Sequence, residues 1–256
     1  MIICYTGTGN SLAVAQHLAD AMGDNVVRLE GDILTSPGQN TIDISGHKRV
    51  VWCFPVYSWG VPPVMCKFLK QITLNGDGTL PHYMVATCGD DAGRTHTQWR
   101  HLVSARGWDA RNAFTVVMPN TYTLMKGFNV DPADVEQTKL AKMPGAVEHI
   151  TQKILSGGRG DEVLVGKWSL IKSGIIYPWF VRYAMSPKPF HHTDACISCE
   201  ICARSCPMTN ISMVDGHPQW HDNCALCLRC YHLCPKHAVA YGKATINKGQ
   251  YHNPSL

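Results

Sequence analysis

The 256 residues carry 23 Lys and Arg against 19 Asp and Glu, a formal charge of +4, with 16% charged and 45% hydrophobic residues. That balance excludes a disordered chain, which combines low hydrophobicity with high net charge, and it suits one large domain or two of ordinary size. The opening Met1-Ile2-Ile3-Cys4 offers neither a basic n-region nor a small-residue cleavage site, so no secretory signal is expected.

Apolar runs at residues 2–5, 26–29, 50–54, 83–87 and 114–118 predict five strands. Helical spacing lies between them: Leu12, Ala15, Leu18, Ala19 and Met22, then residues 62–71, 95–105 and 131–156. Pro144-Gly145 is expected to bend or break the last of these. Strands alternating with helices imply an α/β domain over residues 1–160, a parallel sheet with helices on both faces. Ligands of such sheets sit at the carboxyl ends of the strands. There the first loop reads Thr6-Gly7-Thr8-Gly9-Asn10-Ser11, with glycines that permit close backbone approach and amides at a helix N-terminus, which suit a phosphate. A P-loop would need Gly-Lys-Ser/Thr, and no lysine precedes Lys48. A dinucleotide site would want a third glycine where Leu12 stands, although Glu30 occupies roughly its acidic position.

Residues 161–187 form a connecting segment. Its apolar stretch, 168–185, contains Lys172, Gly174, Pro178 and Arg182 and falls short of the roughly 20 apolar residues of a membrane span. A helix packed between two domains is expected, with an interfacial helix as the lesser reading.

Twelve cysteines are present, and eight crowd into residues 196–234. Cys196, Cys199, Cys202 and Cys206, followed by Pro207, have the spacing C-x2-C-x2-C-x3-C; Cys224, Cys227, Cys230 and Cys234, followed by Pro235, repeat it. Three cysteines two residues apart let one loop wrap three corners of a cuboidal iron–sulfur cluster, while the fourth serves the other cluster. The expected ligand sets are therefore Cys196, Cys199, Cys202 and Cys234 for one 4Fe-4S cluster, and Cys224, Cys227, Cys230 and Cys206 for a second. Structural zinc uses separated CxxC pairs and fits this pattern poorly. Ile197, Ile201, Ile211, Leu226, Leu228 and Val239 would sheath the sulfurs, and Asp215-Gly216 predicts a hairpin between the halves. Cys4, Cys53, Cys66 and Cys88 read as small buried hydrophobes. His82, His96, His101 and His191-His192 read as packed or solvated residues.

Residues 188–242 resemble a bacterial two-cluster ferredoxin, and residues 5–11 resemble the FMN-phosphate loop of flavodoxins. Two further loops match that family: Pro55-Val56-Tyr57-Ser58-Trp59-Gly60 and Thr87-Cys88-Gly89-Asp90-Asp91-Ala92-Gly93. The resemblance implies that Trp59, or failing it Tyr57, stacks on the isoalloxazine and that the second loop meets its pyrimidine edge. That loop lacks the second aromatic of many flavodoxins. The outer flavin face is then open, or covered by Met118-Pro119-Asn120-Thr121-Tyr122 or by the cysteine-rich part. The whole chain resembles flavodoxin–ferredoxin fusions of the EFR1 type. This implies a flavodoxin-like, doubly wound five-stranded parallel sheet followed by a small α+β ferredoxin domain over residues 188–256.

The cofactors so implied are FMN and two 4Fe-4S clusters, and the implied function is electron transfer between them. The alternative is a ferredoxin-linked flavin-dependent reductase of a quinone, nitro compound or enone, and a redox sensor or docking module is a third reading. The expected partner is a ferredoxin or low-potential reductase, or a small-molecule acceptor, in the cytoplasm, with homodimerisation open. With about −2 for each cluster and −2 for a flavin phosphate, the loaded charge falls near −2, so nucleic acid is not an expected partner.

Overall fold

The computed structural model describes residues 1–256. Its order begins β1 (Ile2–Cys4), α1 (Asn10–Met22), β2 (Val26–Arg28), α2 (Asp32–Thr35), β3 (Thr41–Asp43), β4 (Val50–Pro55) and α3 (Pro63–Gln71). It continues with β5 (Thr73–Asn75), β6 (Pro81–Cys88), α4 (Thr95–Ser104), β7 (Asp109–Val117) and α5 (Ala133–Leu155). Strands β2-β1-β4-β6-β7 pair in that order, all parallel. Counting only these five, the order is 2-1-3-4-5, the flavodoxin-like winding.

Both faces of this sheet are covered, and the strand sequences show why. Ile3, Trp52, Phe54 and Met84 pack with Met65, Phe68 and Leu69 of α3 and Trp99, Leu102 and Val103 of α4. Their neighbours Ile2, Cys4, Val51, Cys53 and Val85 point the other way, onto Leu12, Ala15 and Leu18 of α1 and Met143, Val147 and Ile150 of α5. The side-chain period of two thus divides each apolar run between two cores. Helix α1 stops at Gly23, whose left-handed φ of 62° lets its N–H bond the Ala19 carbonyl.

Several sequence expectations are corrected. Helix α5 runs unbroken through Pro144. Proline removes one helical hydrogen bond, but Met143, Val147, Ile150 and Ile154 are buried against the sheet, so tertiary packing holds the helix. Strands β3 and β5 form a separate two-stranded parallel sheet that the apolar runs did not predict. Residues 169–184 are helical, built from α-helical and π-helical turns around Pro178. Its inner side meets both parts of the chain, Tyr177 bonding the Val61 carbonyl and Phe180 sharing a wall with Leu226 and Leu228, while its outer side faces solvent.

The cysteine-rich part adds β8 (Phe190–His192), β9 (Ile211–Val214), β10 (His217–Trp220) and β11 (Val239–Tyr241). β8 pairs with β11, and β9 with β10, both antiparallel. The β9–β10 turn places Asp215 and Gly216 at φ 50° and 80°, as a two-residue hairpin turn requires. A third core joins Phe190, Ile211, Leu226, Leu228, Tyr231 and Val239 to Leu124 of the sheet domain.

His82 is buried between Trp52 and Trp108, and its Nδ1 accepts a 2.9 Å hydrogen bond from Trp52 Nε1. Burial pushes its pKa down to about 4. Below pH about 6.5 the unfolded chain binds a proton that the folded chain refuses, so stability falls as pH drops toward 4, by about 3 kcal/mol. Urea midpoints across that range are expected to show the slope, and His82→Asn, which keeps an acceptor for Trp52, is expected to flatten it.

Candidate functional site

A cleft opens at the carboxyl ends of β1, β4, β6 and β7, where four loops converge. Of the expected residues, Thr6, Gly7, Thr8, Asn10, Ser11, Pro55, Val56, Tyr57, Thr87, Cys88, Gly89, Asn120 and Tyr122 line it. Gly9, Ser58, Trp59, Gly60, Asp90 and Gly93 do not. Met118, Pro119, Thr121 and Cys227 complete the wall. A second, mostly apolar compartment shares Pro55, Val56, Tyr57, Thr121, Tyr122 and Cys227 with the first and adds Phe180, Leu226 and Leu228.

The first loop is held from behind. Arg229 Nη2 donates to the Thr6 carbonyl and Nε to the Gly7 carbonyl, both at 2.7 Å, while Nη1 donates to Ser205 O at 2.9 Å. Arg229 is only 4% exposed, and its one ionic partner, Glu30, lies at 3.3 Å. Asn253 N–H donates to Thr8 O at 2.7 Å, and Tyr251 O–H donates to Asn10 Oδ1 at 2.8 Å. In a trans peptide the N–H lies opposite the C=O. Fixing the Thr6 and Gly7 carbonyls toward Arg229 therefore turns the Gly7 and Thr8 amides away from it. Neither amide bonds elsewhere in the protein, and Gly9 N–H is taken by Thr6 Oγ1 at 3.1 Å. Two free amides before a helix N-terminus form an anion-binding concavity.

The loops also fix one another. Ser11 and Thr87 hydroxyls lie 2.7 Å apart, and Asn10 Nδ2 donates to Pro119 O at 2.9 Å. Asp131 accepts from the Asn120 backbone and side chain and from Lys139 Nζ, which also donates to Gly89 O. Burial works against the Asp131 carboxylate, but these donors outweigh it and hold its pKa below the usual carboxylate range. A Cβ on Gly89 would fall 1.6 Å from Asn120 Oδ1, so a larger residue would drive the Asn120 side chain off Asp131. Cys88 is buried, which pushes its thiol up to about 12 and leaves it unreactive.

Trp59 sits outside the cleft. Its φ is 64°, its carbonyl accepts from Ser173 Oγ at 2.8 Å, and Lys172 Nζ lies 5.0 Å from its ring centre while bonding Asp91. It latches helix 169–184 to the sheet domain. Gly93 and Gly60 belong to the same latch, because a Cβ on Gly93 would meet Trp59 Cβ at 2.7 Å and one on Gly60 would meet the Tyr177 ring at 2.3 Å. Tyr57, unlike Trp59, lines the cleft, as does Tyr122; the Tyr57 hydroxyl lies 3.3 Å from that of Tyr5. Burial raises the pKa of both phenols, so both stay neutral.

The eight clustered cysteines gather in two places. Cys196, Cys199, Cys202 and Cys234 ring one small cavity, walled also by apolar groups such as Ile197, Ile201, Met213 and Val239. Cys206, Cys224, Cys227 and Cys230 form the second group. Burial pushes Cys224 up to about 12 and raises Cys227 and Cys230, and neighbouring thiols add to the shift of Cys224 and Cys230. Backbone N–H groups of Asn210, Leu226 and Ala238 donate to the sulfurs of Cys206, Cys224 and Cys234 at 3.2–3.4 Å. No three His, Cys, Asp or Glu side chains converge as they would on a single metal ion.

Both groups share an unusual backbone. Ser198, Glu200 and Thr209 have φ of 55°, 62° and 47°; Leu226, Leu228 and His237, each 28 positions later, have 51°, 61° and 51°. Left-handed φ in non-glycine residues is costly and collects at ligand clamps. The duplicated cysteine spacing is thus duplicated in conformation. The repeat breaks at one telling point: Arg229 stands where the first copy has Ile201. That exchange was the available signal for the residue that joins the two halves of the molecule. The halves meet closely, since a Cβ on Gly7 would lie 2.6 Å from the Cys227 carbonyl oxygen.

Fold and cleft together define an α/β protein of flavodoxin-like winding whose loop-lined site is closed by a cysteine-rich part. Among solved structures, the chain is similar to a protein described as a flavoprotein from Bacteroides uniformis, at 10% identity and a TM-score of 0.36, over 46% of this chain and 88% of that one. It is similar to the Trp repressor binding protein of Bacillus subtilis at 14% identity and a TM-score of 0.37, over 57% and 97% of the two chains. An azoreductase from Bacillus anthracis aligns at 13% identity and a TM-score of 0.35, over 59% and 99%. No family model matches the chain, and no curated protein matches it.

Proposed function

We propose that this chain is an electron-transfer iron–sulfur flavoprotein, with FMN in the cleft and two 4Fe-4S clusters in the cysteine-rich part. The observation that carries the reading is Cys227, which lines both compartments of the cleft and belongs to the second cysteine group. The cluster on Cys206, Cys224, Cys227 and Cys230 is then the one next to the flavin. The cluster on Cys196, Cys199, Cys202 and Cys234 is the remote one, toward an outside partner.

The residues fit these groups. The free Gly7 and Thr8 amides and the hydroxyls of Thr6, Thr8 and Ser11 suit a phosphate, and Val56, Tyr57, Tyr122, Leu226 and Leu228 suit a flat apolar ring. Two groups of four cysteines, with backbone amides donating to their sulfurs, suit clusters better than a single ion. A bound flavin exchanges electrons in pairs or singly, and each cluster passes one. The protein's part is positional: Arg229 fixes the phosphate loop against the second cysteine group, and Phe180, Leu226 and Leu228 exclude water between them. The walls over the outer side, residues 118–122 and 226–228, favour electron transfer over reduction of a metabolite at the ring.

Anaerobically prepared protein is expected to hold about eight irons and one FMN. During reductive titration, visible and EPR spectra should show flavin and both clusters exchanging electrons. About four irons, zinc in their place, or no bound flavin would overturn the proposal.

A further inference from the structure

The helix at residues 169–184 has a clean division of faces. Ser173, Tyr177 and Phe180 look inward, and Tyr177 O–H donates to the Val61 carbonyl at 2.5 Å. The opposite face is apolar as well, and it is bare. Trp168 is 75% exposed, Leu170 67%, Ile175 65%, Trp179 52% and Tyr183 65%. Of the exposed large hydrophobic residues in the whole chain, about half fall between Leu164 and Tyr183, so the patch is one continuous feature rather than scattered surface.

Charge decides what would cover it. From residue 163 to residue 193 there is no Asp or Glu, while Lys167, Lys172, Arg182 and Lys188 are all basic. Lys172 is engaged with Asp91; Lys167, Arg182 and Lys188 are exposed, Lys167 adjoining Trp168 in the chain and Arg182 lying against the Tyr183 ring. A second copy would bring like charges together across a symmetric contact, which is unfavourable. An anionic lipid surface meets both properties at once: apolar and aromatic side chains enter the headgroup boundary while Lys and Arg extend to phosphates. The helix is about 24 Å long at 1.5 Å per residue, and no helix of the chain is long and apolar enough to cross a membrane.

We infer that helix 169–184 seats the protein on the surface of an anionic bilayer, through Trp168, Leu170, Ile175, Trp179 and Tyr183, with Lys167, Arg182 and Lys188 on the headgroups. This goes beyond the electron-transfer reading and does not depend on it. The helix is fixed to the fold by Ser173, Tyr177 and the Lys172–Asp91 pair, so the whole molecule would dock in one orientation.

The test is co-sedimentation of the full chain, prepared anaerobically, with vesicles of phosphatidylcholine alone or containing about one-third phosphatidylglycerol. Binding to the mixed vesicles is expected, with weaker binding to neutral ones and in about 0.5 M salt. Trp168→Asn with Trp179→Ser removes two exposed rings without touching the core, and Asn tolerates the left-handed backbone at 168. This pair is expected to weaken binding by about tenfold or more for each ring. Lys167→Glu with Arg182→Glu is expected to abolish the preference for anionic vesicles while circular dichroism stays unchanged. No vesicle binding by the unaltered protein, equal binding by either double variant, or equal binding to both vesicle types would overturn the inference. A concentration-dependent dimer lost in the tryptophan variant, without vesicle binding, would assign the face to a second copy and overturn it too.

Discussion

Replacing Cys227 with serine is expected to halve the iron content, from about eight atoms to about four, and to cut the flavin off from the remaining cluster. Serine is nearly isosteric, so the fold should survive, but it lacks the soft thiolate that iron–sulfur clusters require. The effect should differ in kind from that of Cys199→Ser in the remote group. Both variants would lose about half the iron, yet only Cys227→Ser removes the cysteine that lines the flavin cleft. Stopped-flow reduction of the flavin through the clusters checks this. A Cys227→Ser protein whose flavin is still reduced through the iron as fast as in the unaltered chain would refute the assignment of the proximal cluster.

The second large effect is expected at Arg229. Arg229→Met keeps much of the side-chain volume and removes every donor. Two buried carbonyls, those of Thr6 and Gly7, and the part-buried one of Ser205 then lose their partner. Each such loss costs about 1–3 kcal/mol. Relief from burying a cation with only the half-exposed Glu30 beside it returns part of that. The carbonyl term wins, leaving a net cost on the order of 3 kcal/mol, or about 10 °C in melting temperature. Flavin affinity should fall with it, because the Thr6 and Gly7 peptides are freed to rotate and their amides are no longer held outward. Arg229→Lys keeps the charge but cannot reach three carbonyls at once. It is expected to fall between the two in both thermal melting and flavin titration; a lysine variant equal to the unaltered chain would show that charge alone suffices.

The parts of this architecture legible in the sequence were those written in short-range pattern. The five sheet strands appear as apolar runs because both faces of the sheet are buried. The cysteine sets appear as spacing because short loops of fixed length bring each group together. What escaped depends on contacts far apart in the chain. Pro144 reads as a break, yet sits in a helix that the sheet core holds straight. Trp59 reads as a ring waiting for a flavin because it follows β4, but Ser173 and Lys172, more than a hundred residues later, draw it into a different contact. Strands β3 and β5 are too short and too mixed in character to stand out. Arg229 was masked by its setting, one polar residue in a loop read for its cysteines. The outer side of helix 169–184 was equally hidden, since an apolar stretch does not say which of its faces finds a partner.

The contact between Gly7 and Cys227 has a thermodynamic reading. Binding free energies at two sites that share a rigid element are reciprocal. Here the shared element is a backbone contact, reinforced by Arg229, which stands between Cys227 and Cys230 and holds the Thr6 and Gly7 carbonyls. With the proposed cofactors in place, whatever assembly of the second cluster adds to flavin affinity, flavin occupancy would return to the cluster as resistance to iron loss. A protein emptied of flavin is therefore expected to surrender iron to a chelator sooner at the second cysteine group than at the first. The order in which the cofactors are inserted would then govern yield during maturation without changing the finished molecule.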